Sequence, residues 1–389
     1  MFKRTHILQV AGFCIVALHT AIIGVEAQQP QAQLEERVRW LTQHTSPVRS
    51  VDPTDDDFSD LESIGRAIGT SRVVLLGEQS HGDGTVFLAK TRLIRYLHEK
   101  LGFDVLAFES SLYDTRVAWD SMKSGEDPVT AFRRGVYSIW SGSEQLLSLI
   151  DYMGARAKSE RPLELSGFDC HFYYSASQKR FTFTIDLLRF LTDHRMDASR
   201  IAAGTDARLV LDSLVASRWN DARRPTESQQ RGFLDAWTAL RLQVDALDEA
   251  SSDVAYWKQL IKSVEAHARY TFAVDSSSWA AFNGRDKQMA SNLVWLAQER
   301  FKGRKIIVWA ASVHNARSLN SVDSQSSEFN YKVRSPWGIT SGKRSGRIRT
   351  PSGLLPSRDP LEPGGMRPNH CLPLVLNPLE VYGLKQAQN

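Results

Sequence analysis

Four short apolar runs, each followed within a few residues by an acidic residue or a histidine, constrain the fold of this chain most strongly. Near-continuous apolar runs of this length are typical of parallel strands that are buried on both faces of a sheet. The runs cover residues 73–76, 105–108, 163–165 and 306–311. The polar residues that follow them are Glu78, Glu109, Asp169 and His314. Because functional groups in open α/β sheets gather beyond the carboxyl ends of the strands, the pattern predicts one site at one sheet edge.

The segments between these runs have helical spacing. Apolar side chains recur three or four positions apart, and the segments concerned are residues 34–45, 59–68, 85–101 and 144–157. Residues 179–300 keep the helical period without a clear strand, which indicates a helical insertion or cap. The predicted fold is therefore α/β, with a mainly parallel central sheet flanked by helices and a helical insertion, in a domain of residues 28–334.

The charge balance excludes one class of partner. The chain of 389 residues carries a formal net charge of +4, and its basic residues are scattered rather than clustered. A nucleic-acid-binding surface needs a basic patch or stripe, so no nucleic-acid partner is expected. The apolar content of 42% is enough to build a large core.

The N-terminus has the pattern of a secretory signal. Lys3 and Arg4 precede a largely apolar stretch over residues 10–25, and Val25-Glu26-Ala27 offers small residues at the cleavage positions. The stretch is shorter and more interrupted than a good membrane span. Residues 1–27 are therefore predicted to be removed, which leaves a periplasmic or secreted protein without a stable membrane anchor.

Residues 335–389 differ from the rest of the chain. They contain eight of its fourteen prolines and show no sustained period. This composition indicates an irregular, disordered tail. We also consider the hypothesis that a frameshift or misjoined gene put the tail out of register. A disulfide between Cys170 and Cys371 is permitted in an oxidising compartment, but spacing alone does not establish it.

The strongest chemical motif is Gly77-Glu78-Gln79-Ser80-His81-Gly82, directly after the first predicted strand. Its spacing lets a carboxylate and an imidazole face the same cleft. A lone histidine would more often be structural, but Glu109 ends a neighbouring predicted strand. Buried carboxylates are costly unless they are paired, so such a group favours a functional site.

These motifs resemble the erythromycin esterase family in an ordered series of blocks across residues 70–330. The blocks are Gly77-Glu78-x-x-His81-Gly82, Arg92-Leu93-Ile94-Arg95-Tyr96-Leu97, residues 102–109, Gly167-Phe168-Asp169, Arg285-Asp286-x-x-Met289-Ala290-x-Asn292 and Trp309-Ala310-x-x-x-His314. The resemblance implies hydrolysis of an ester or lactone, such as macrolide ring opening, without a metal or other cofactor.

The resemblance also implies residue roles. His81 would act as the general base that activates water, while Glu78 and Glu109 would orient it and hold its charge. Arg285 would either steady the developing oxyanion or form a structural salt bridge with Asp286 or another acid. His314 is the remaining histidine of a family pattern in which Ala311 and Ser312 replace a histidine and an asparagine.

Further residues are assigned to substrate binding. Lys90 stands where some macrolide esterases carry an arginine, and it is predicted to contact the substrate together with Asp169 and His171. Four aromatic residues would form either an apolar wall for a bulky substrate or part of the core; they are Trp140, Phe172, Tyr173 and Trp279.

Two alternatives use the same cluster. A divalent-metal-dependent hydrolase would take its ligands from Glu78, His81, Glu109 and His314, because two histidines and a carboxylate make a common zinc set. A non-catalytic periplasmic protein would keep the cleft, bind a small molecule and leave it unchanged.

Overall fold

The structure, a computed structural model, describes residues 31, 34–43, 45–172, 182–216, 224–248, 251–273, 279–315 and 373–375. The predicted signal segment 1–27, Tyr173, Cys371, the side chain of Trp279 and most of the tail lie outside the described residues. The chain divides into two compact units, residues 1–49 and 50–389. In the first unit, helix α1 covers residues 34–43, close to the predicted helix over 34–45.

A parallel sheet forms the centre of the second unit. Its strands are β1 (Val73–Glu78), β2 (Val105–Ser111), β3 (Glu164–Asp169), β4 (Ile306–Ala311) and β5 (Pro373–Val375). The order is β3-β2-β4-β1-β5, and the paired strands are parallel. All four predicted runs form strands, so the predicted α/β class is confirmed. The fifth strand comes from within the predicted irregular tail.

The register aligns the carboxyl ends of the strands. Glu78 at the end of β1 pairs with Ala311 at the end of β4. On the other side of β4, Phe108 of β2 pairs with Trp309. The residues that follow these positions therefore meet at one edge of the sheet, as the sequence predicts.

In the second unit, one α-helix precedes β1, and five more lie between β1 and β3 in the chain. They are α2 (Glu62–Ile68), α3 (Gly84–Leu101), α4 (Leu112–Ser124), α5 (Pro128–Gly135), α6 (Ser138–Ser141) and α7 (Leu147–Arg156). The predicted C-cap of α3 is confirmed, because Gly102 adopts a φ of +71°. Helices α4 to α6 were not predicted from the sequence.

The regular elements described between β3 and β4 are all helices. They include α8 (Thr182–Asp193), α9 (Asp206–Val215), α10 (Glu227–Asp245), α11 (Ser252–Ala273) and α12 (Trp279–Trp295), which continues as a π-helical turn over Leu296–Arg300. A short α13 (Ser312–Asn315) follows β4. Among the described helices, none is long and apolar enough to cross a membrane.

Alternate strand residues face two different layers. Ala107 and Val308 belong to a buried cluster with Leu187 of α8 and Trp237 of α10, so the helical region packs directly on this face. The next residues along the strands, Phe108 and Trp309, stack on each other and contact rings from α5 and α3 on the opposite side. The core thus occupies both faces and leaves the carboxyl edge for polar groups.

Candidate active site

Glu78 is the centre of a first group of polar side chains, the Glu78 group, whose other members are His81, Lys90 and Trp140. It ends β1, and only 1% of its surface is exposed. Its Oε2 accepts a hydrogen bond from Lys90 Nζ at 2.8 Å, and its Oε1 accepts one from the indole Nε1–H of Trp140. Burial alone would raise the pKa of Glu78, but the hydrogen bond with His81 and the charge of Lys90 outweigh it and lower this pKa. The carboxylate is therefore ionised and held by donors from several elements.

His81 lies in the loop after β1, where its Nδ1 is 2.9 Å from Glu78 Oε1. Its side chain is 42% exposed, whereas that of Glu78 is fully buried. An ionised carboxylate only accepts hydrogen bonds, so Nδ1 is the donor in this pair. In the neutral ring the lone pair then sits on Nε2. His81 therefore combines a fixed tautomer with access to solvent, which is what a general base needs.

Lys90 lies inside the protein. It projects from α3, has no exposed surface, and its Nζ sits 4.3 Å from the centroid of the Trp309 ring. Burial lowers the pKa of Lys90 to about 8, although the charges of Glu78 and Glu109 oppose this shift. The sequence analysis predicts a substrate contact for Lys90, but this arrangement gives its ammonium group to Glu78.

Glu109 is the centre of a second group, at the end of β2. Its Oε1 accepts from Arg285 Nη2 at 3.1 Å and lies 3.1 Å from His314 Nε2, while its Oε2 accepts from the backbone N–H of Ala311 at 2.9 Å. Burial would raise the pKa of Glu109, but the charges of His314 and Arg285 lower it to about 2. Both carboxylate oxygens are therefore occupied by donors.

Arg285 joins β2 to β3. Besides Glu109, its guanidinium group binds Asp169 through Nε–Oδ1 at 3.2 Å and Nη2–Oδ2 at 2.5 Å. Asp169 is fully buried, and the charge of Arg285 holds its pKa well below the usual range despite that burial. Of the two roles that the sequence left open for Arg285, this geometry fits a salt bridge, with Asp169 and Glu109 rather than Asp286 as partners. The bidentate pairing also uses the carboxylate that the sequence analysis assigned to substrate binding.

His314 is held between two carboxylates. Its Nδ1 lies 2.8 Å from Asp286 Oδ1, and its Nε2 faces Glu109. Burial would lower the pKa of His314, but the charges of Glu109 and Asp286 raise it to about 9. His314 is therefore an imidazolium at neutral pH. Each of its ring nitrogens faces a carboxylate oxygen, so it contributes positive charge rather than a free basic site.

His171 follows β3 and stands apart from both groups. Its backbone N–H donates to Asp169 Oδ1 at 3.1 Å, and its ring lies 4.4 Å from that of Tyr270 and 4.9 Å from that of His267. Burial lowers the pKa of His171 well below its ordinary value, so the ring is neutral. It borders the site through Asp169, and its predicted contact with substrate stays a prediction.

The predicted four-residue metal set does not form one cluster. Glu78 is already compensated by Lys90, and Glu109 by Arg285 and His314, so cations of the chain occupy the positions that a divalent ion would need. Within the described part of the chain, the three residues whose possible ligand atoms lie close enough together to hold one metal ion are Asp169, Cys170 and His171. There, Asp169 is engaged by Arg285, and burial raises the pKa of Cys170 well above its ordinary value, which keeps it a thiol. A thiol is a poor ligand compared with a thiolate.

Two contributors to the site were missed by sequence reasoning. Asp286 was considered as a partner of Arg285, but it binds His314 instead. Trp140 was considered as a substrate wall or core residue; it is fully buried, as is most of Phe172, and its indole N–H binds Glu78. The sequence does contain a signal for Asp286, because it directly follows Arg285, a predicted site residue. An acid that is buried at such a position needs a cation as its partner. For Trp140 there is no such signal.

Known proteins match this chain in sequence and in fold. Residues 98–332 match the family described as Erythromycin esterase. The matched range contains Glu109, Asp169, Arg285 and His314, but it begins after Glu78 and His81. The chain is 26% identical over 333 residues to "Putative hydrolase YbfO" of Bacillus subtilis (strain 168), which covers 80% of this chain and 70% of that protein.

Two further matches extend the comparison. Erythromycin esterase type II of Escherichia coli is 23% identical over 299 residues, which covers 71% of this chain and 68% of that protein. A crystal structure of a Bacillus cereus protein has the same fold, with a TM-score of 0.58 at 18% identity, over 72% of this chain and 67% of that one. Because the family match covers more than half of the 389 residues, the chain belongs to the erythromycin esterase family, and it is a hydrolase.

Proposed function

We propose that this protein hydrolyses a carboxylic ester or a lactone, and that His81 is the general base that activates the attacking water. Macrolide-type lactones are within this class. Membership of the family and the relative named as an erythromycin esterase support the reaction class. The arrangement of His81 supports the choice of base.

The observation that carries the proposal is the contrast between His81 and its partner. His81 is 42% exposed at the carboxyl edge of the sheet, and its Nδ1 is 2.9 Å from the buried, ionised Glu78. This arrangement fixes the tautomer, leaves Nε2 as the acceptor and stabilises the imidazolium that forms when a proton is taken up. Of the two histidines in the polar groups described above, His314 is already protonated.

The reaction then follows from one proton acceptor. His81 Nε2 takes a proton from water as the water oxygen bonds to the carbonyl carbon, which gives a tetrahedral oxyanion. As the intermediate collapses, the carbon–oxygen bond to the alcohol breaks, and the imidazolium returns its proton to the leaving oxygen. A linear ester yields an acid and an alcohol, and a lactone yields one hydroxy acid. Such a base contributes about 10²–10⁴-fold to the rate.

The Glu109 group has a different role in this proposal. It carries two fixed cations, Arg285 and His314, against the buried carboxylates Glu109, Asp169 and Asp286. Fixed charges of buried groups can stabilise charge that develops in the transition state without reorganising. The group would therefore set the electrostatic field at the site, while His81 moves the proton.

The test is incubation of the purified protein with a panel of macrolides, simple lactones and linear esters in ¹⁸O-labelled water, followed by mass spectrometry. Hydrolysis adds one water and places one ¹⁸O in the new carboxyl group. His81→Ala should lower the rate by about 10²–10⁴-fold. His194→Ala is a matched control that removes a histidine from the helical region. There, His194 is hydrogen-bonded to the backbone carbonyl of Phe190 and contacts the Phe190 ring.

Each result has a defined meaning. Conversion by wild type and His194→Ala, with loss in a folded His81→Ala variant, is the expected outcome. A folded His81→Ala variant that is as active as wild type would contradict the role of His81. Activity that is abolished by a chelator and restored by zinc would favour the metal-dependent alternative. Binding of a lactone without any ¹⁸O product across the panel would favour the non-catalytic binder.

A further inference from the structure

Trp140 is placed where it contacts both partners of the proposed catalytic pair. We propose that Trp140 is a positioning residue that fixes the Glu78 carboxylate and the His81 ring in the arrangement required for base catalysis, an inference that rests on the proposed function. It acts through these two residues and needs no contact with substrate.

The contacts of Trp140 define this role. Its indole Nε1–H donates to Oε1 of Glu78, the same oxygen that binds His81 Nδ1. Its ring meets the His81 ring edge-on, with 5.1 Å between centroids and an interplanar angle of 89°. One side chain therefore limits rotation of the carboxylate by a hydrogen bond and rotation of the imidazole by contact.

Glu78 is held from three directions. Oε1 has two lone pairs, and His81 and Trp140 use both of them. Oε2 accepts from Lys90. The three donors come from the loop after β1, from α6 and from α3, so the plane of the carboxylate is fixed. Without the indole N–H, the lone pair that it occupies is open to water, and the carboxylate can turn away from His81.

Trp140 is itself firmly held. It is fully buried, and it stacks on Tyr137 at an interplanar angle of 13°. The backbone N–H of Tyr137 donates to Ser110 Oγ at the end of β2, and its hydroxyl donates to the carbonyl of His171 after β3. The short helix α6 thus ties the Glu78 group to two neighbouring strands. A residue held this rigidly suits the support of a catalytic geometry better than the binding of variable substrates.

The kinetic test compares two Trp→Phe substitutions. Trp140→Phe keeps an aromatic ring but removes the N–H, and it should lower kcat by about 10- to 100-fold with KM within about 2-fold of wild type. Trp237→Phe is the matched control: Trp237 is also fully buried, and its Nε1–H donates to the carbonyl of Ile261 at 2.9 Å in the helical region. Both variants lose one buried indole hydrogen bond, but Trp237→Phe should keep the kcat of wild type.

A second measurement does not depend on turnover. ¹⁵N NMR of labelled histidine and tryptophan side chains reports the His81 tautomer and the Trp140 indole N–H directly. In wild type, His81 should show a protonated Nδ1, and in Trp140→Phe it should show a mixture of tautomers. Trp237→Phe should leave the His81 signals unchanged. This result would support the positioning role even if the ester panel yielded no product, in which case the proposed function alone would fail.

Two outcomes would overturn the inference. The first is a Trp140→Phe variant whose kcat falls no more than that of Trp237→Phe. The second is an unchanged His81 tautomer in Trp140→Phe. A loss of kcat accompanied by the tautomer mixture would support it.

Discussion

The Glu78 group and the Glu109 group lie at the same edge of the sheet, yet they differ in burial and in pairing. In the first, a half-exposed histidine lies within hydrogen-bonding distance of a buried carboxylate. In the second, Glu109 and Asp169 are bound to Arg285, and His314 is a buried cation. We propose that His81 exchanges the proton, whereas the cations of the Glu109 group are held by buried carboxylates. Similar residue types at one sheet edge can thus differ in burial and pairing, and the proposed function assigns proton transfer to the more exposed of them.

The largest expected effect separates activity from stability at His81. His81→Ala should lower kcat by about 10²–10⁴-fold, because the proposed base is lost. It should lower the free energy of unfolding by less than about 1 kcal/mol, because the side chain is 42% exposed. Initial rates and urea denaturation followed by circular dichroism measure both quantities. A folded variant with unchanged kcat would remove the distinction between the two groups.

The reverse pattern is expected at Arg285. Arg285→Met leaves Asp169 and Glu109 buried without their shared cation and should lower the free energy of unfolding by about 3–5 kcal/mol. Arg304→Met is the matched control, because Arg304 also binds two carboxylates, Asp104 and Glu164, but is 32% exposed. Its loss should cost less than about 1 kcal/mol. Equal destabilisation in urea would show that burial does not distinguish these ion pairs.

The pH dependence of stability should reveal the protonated His314. Its pKa is raised from 6.5 to about 9 on folding, so the stabilisation is fully present below pH 6.5 and is lost as the pH rises through about 9. Between pH 6.5 and 8, the free energy of unfolding should fall by roughly 1–2 kcal/mol. As the pH approaches and passes 8, the lowered pKa of Lys90 acts in the opposite direction, because its burial penalty fades as the ammonium group loses its proton.

Urea denaturation at several pH values measures this slope. His314→Gln provides the control, since a neutral side chain should abolish the decline between pH 6.5 and 8. If wild type and His314→Gln show the same slope, His314 is not protonated in the folded protein, and the two groups would be more alike than described.

The smallest expected effect concerns the segment that follows His81. Asp83 caps α3 by accepting from the backbone N–H groups of Thr85 and Val86 at 3.0 and 3.2 Å. Asp83→Ala should lower the free energy of unfolding by about 1 kcal/mol. Because the cap lies two residues from His81, kcat should also fall, but by much less than in His81→Ala. Thermal melts and initial rates measure these two effects. An Asp83→Ala variant as inactive as His81→Ala would show that the position of His81 depends on the helix cap.

The sequence predicted the strands well because each is a continuous apolar run with a polar residue beyond it. The same logic located Glu78, His81 and Glu109 at one edge. It could not assign the partners of Arg285, which lies 116 residues from Asp169 and 176 residues from Glu109. Such pairings depend on how the helices between β3 and β4 dock, and no local pattern records that. Helices α4 to α6 were also missed, and with them the reason why Trp140 reaches Glu78.

The strand order carries a consequence for how the protein is made. β4 lies between β1 and β2, although some two hundred residues separate it from β2 in the chain. During synthesis, β1 and β2 emerge early and have no hydrogen bonds to each other in the finished sheet. Their facing edges have no native partner until residues 306–311 are available to insert between them. Closing so long a loop is slow, and exposed strand edges invite aggregation meanwhile. Nearly the whole domain must therefore leave the ribosome before Glu109 can meet Arg285, Ala311 and His314.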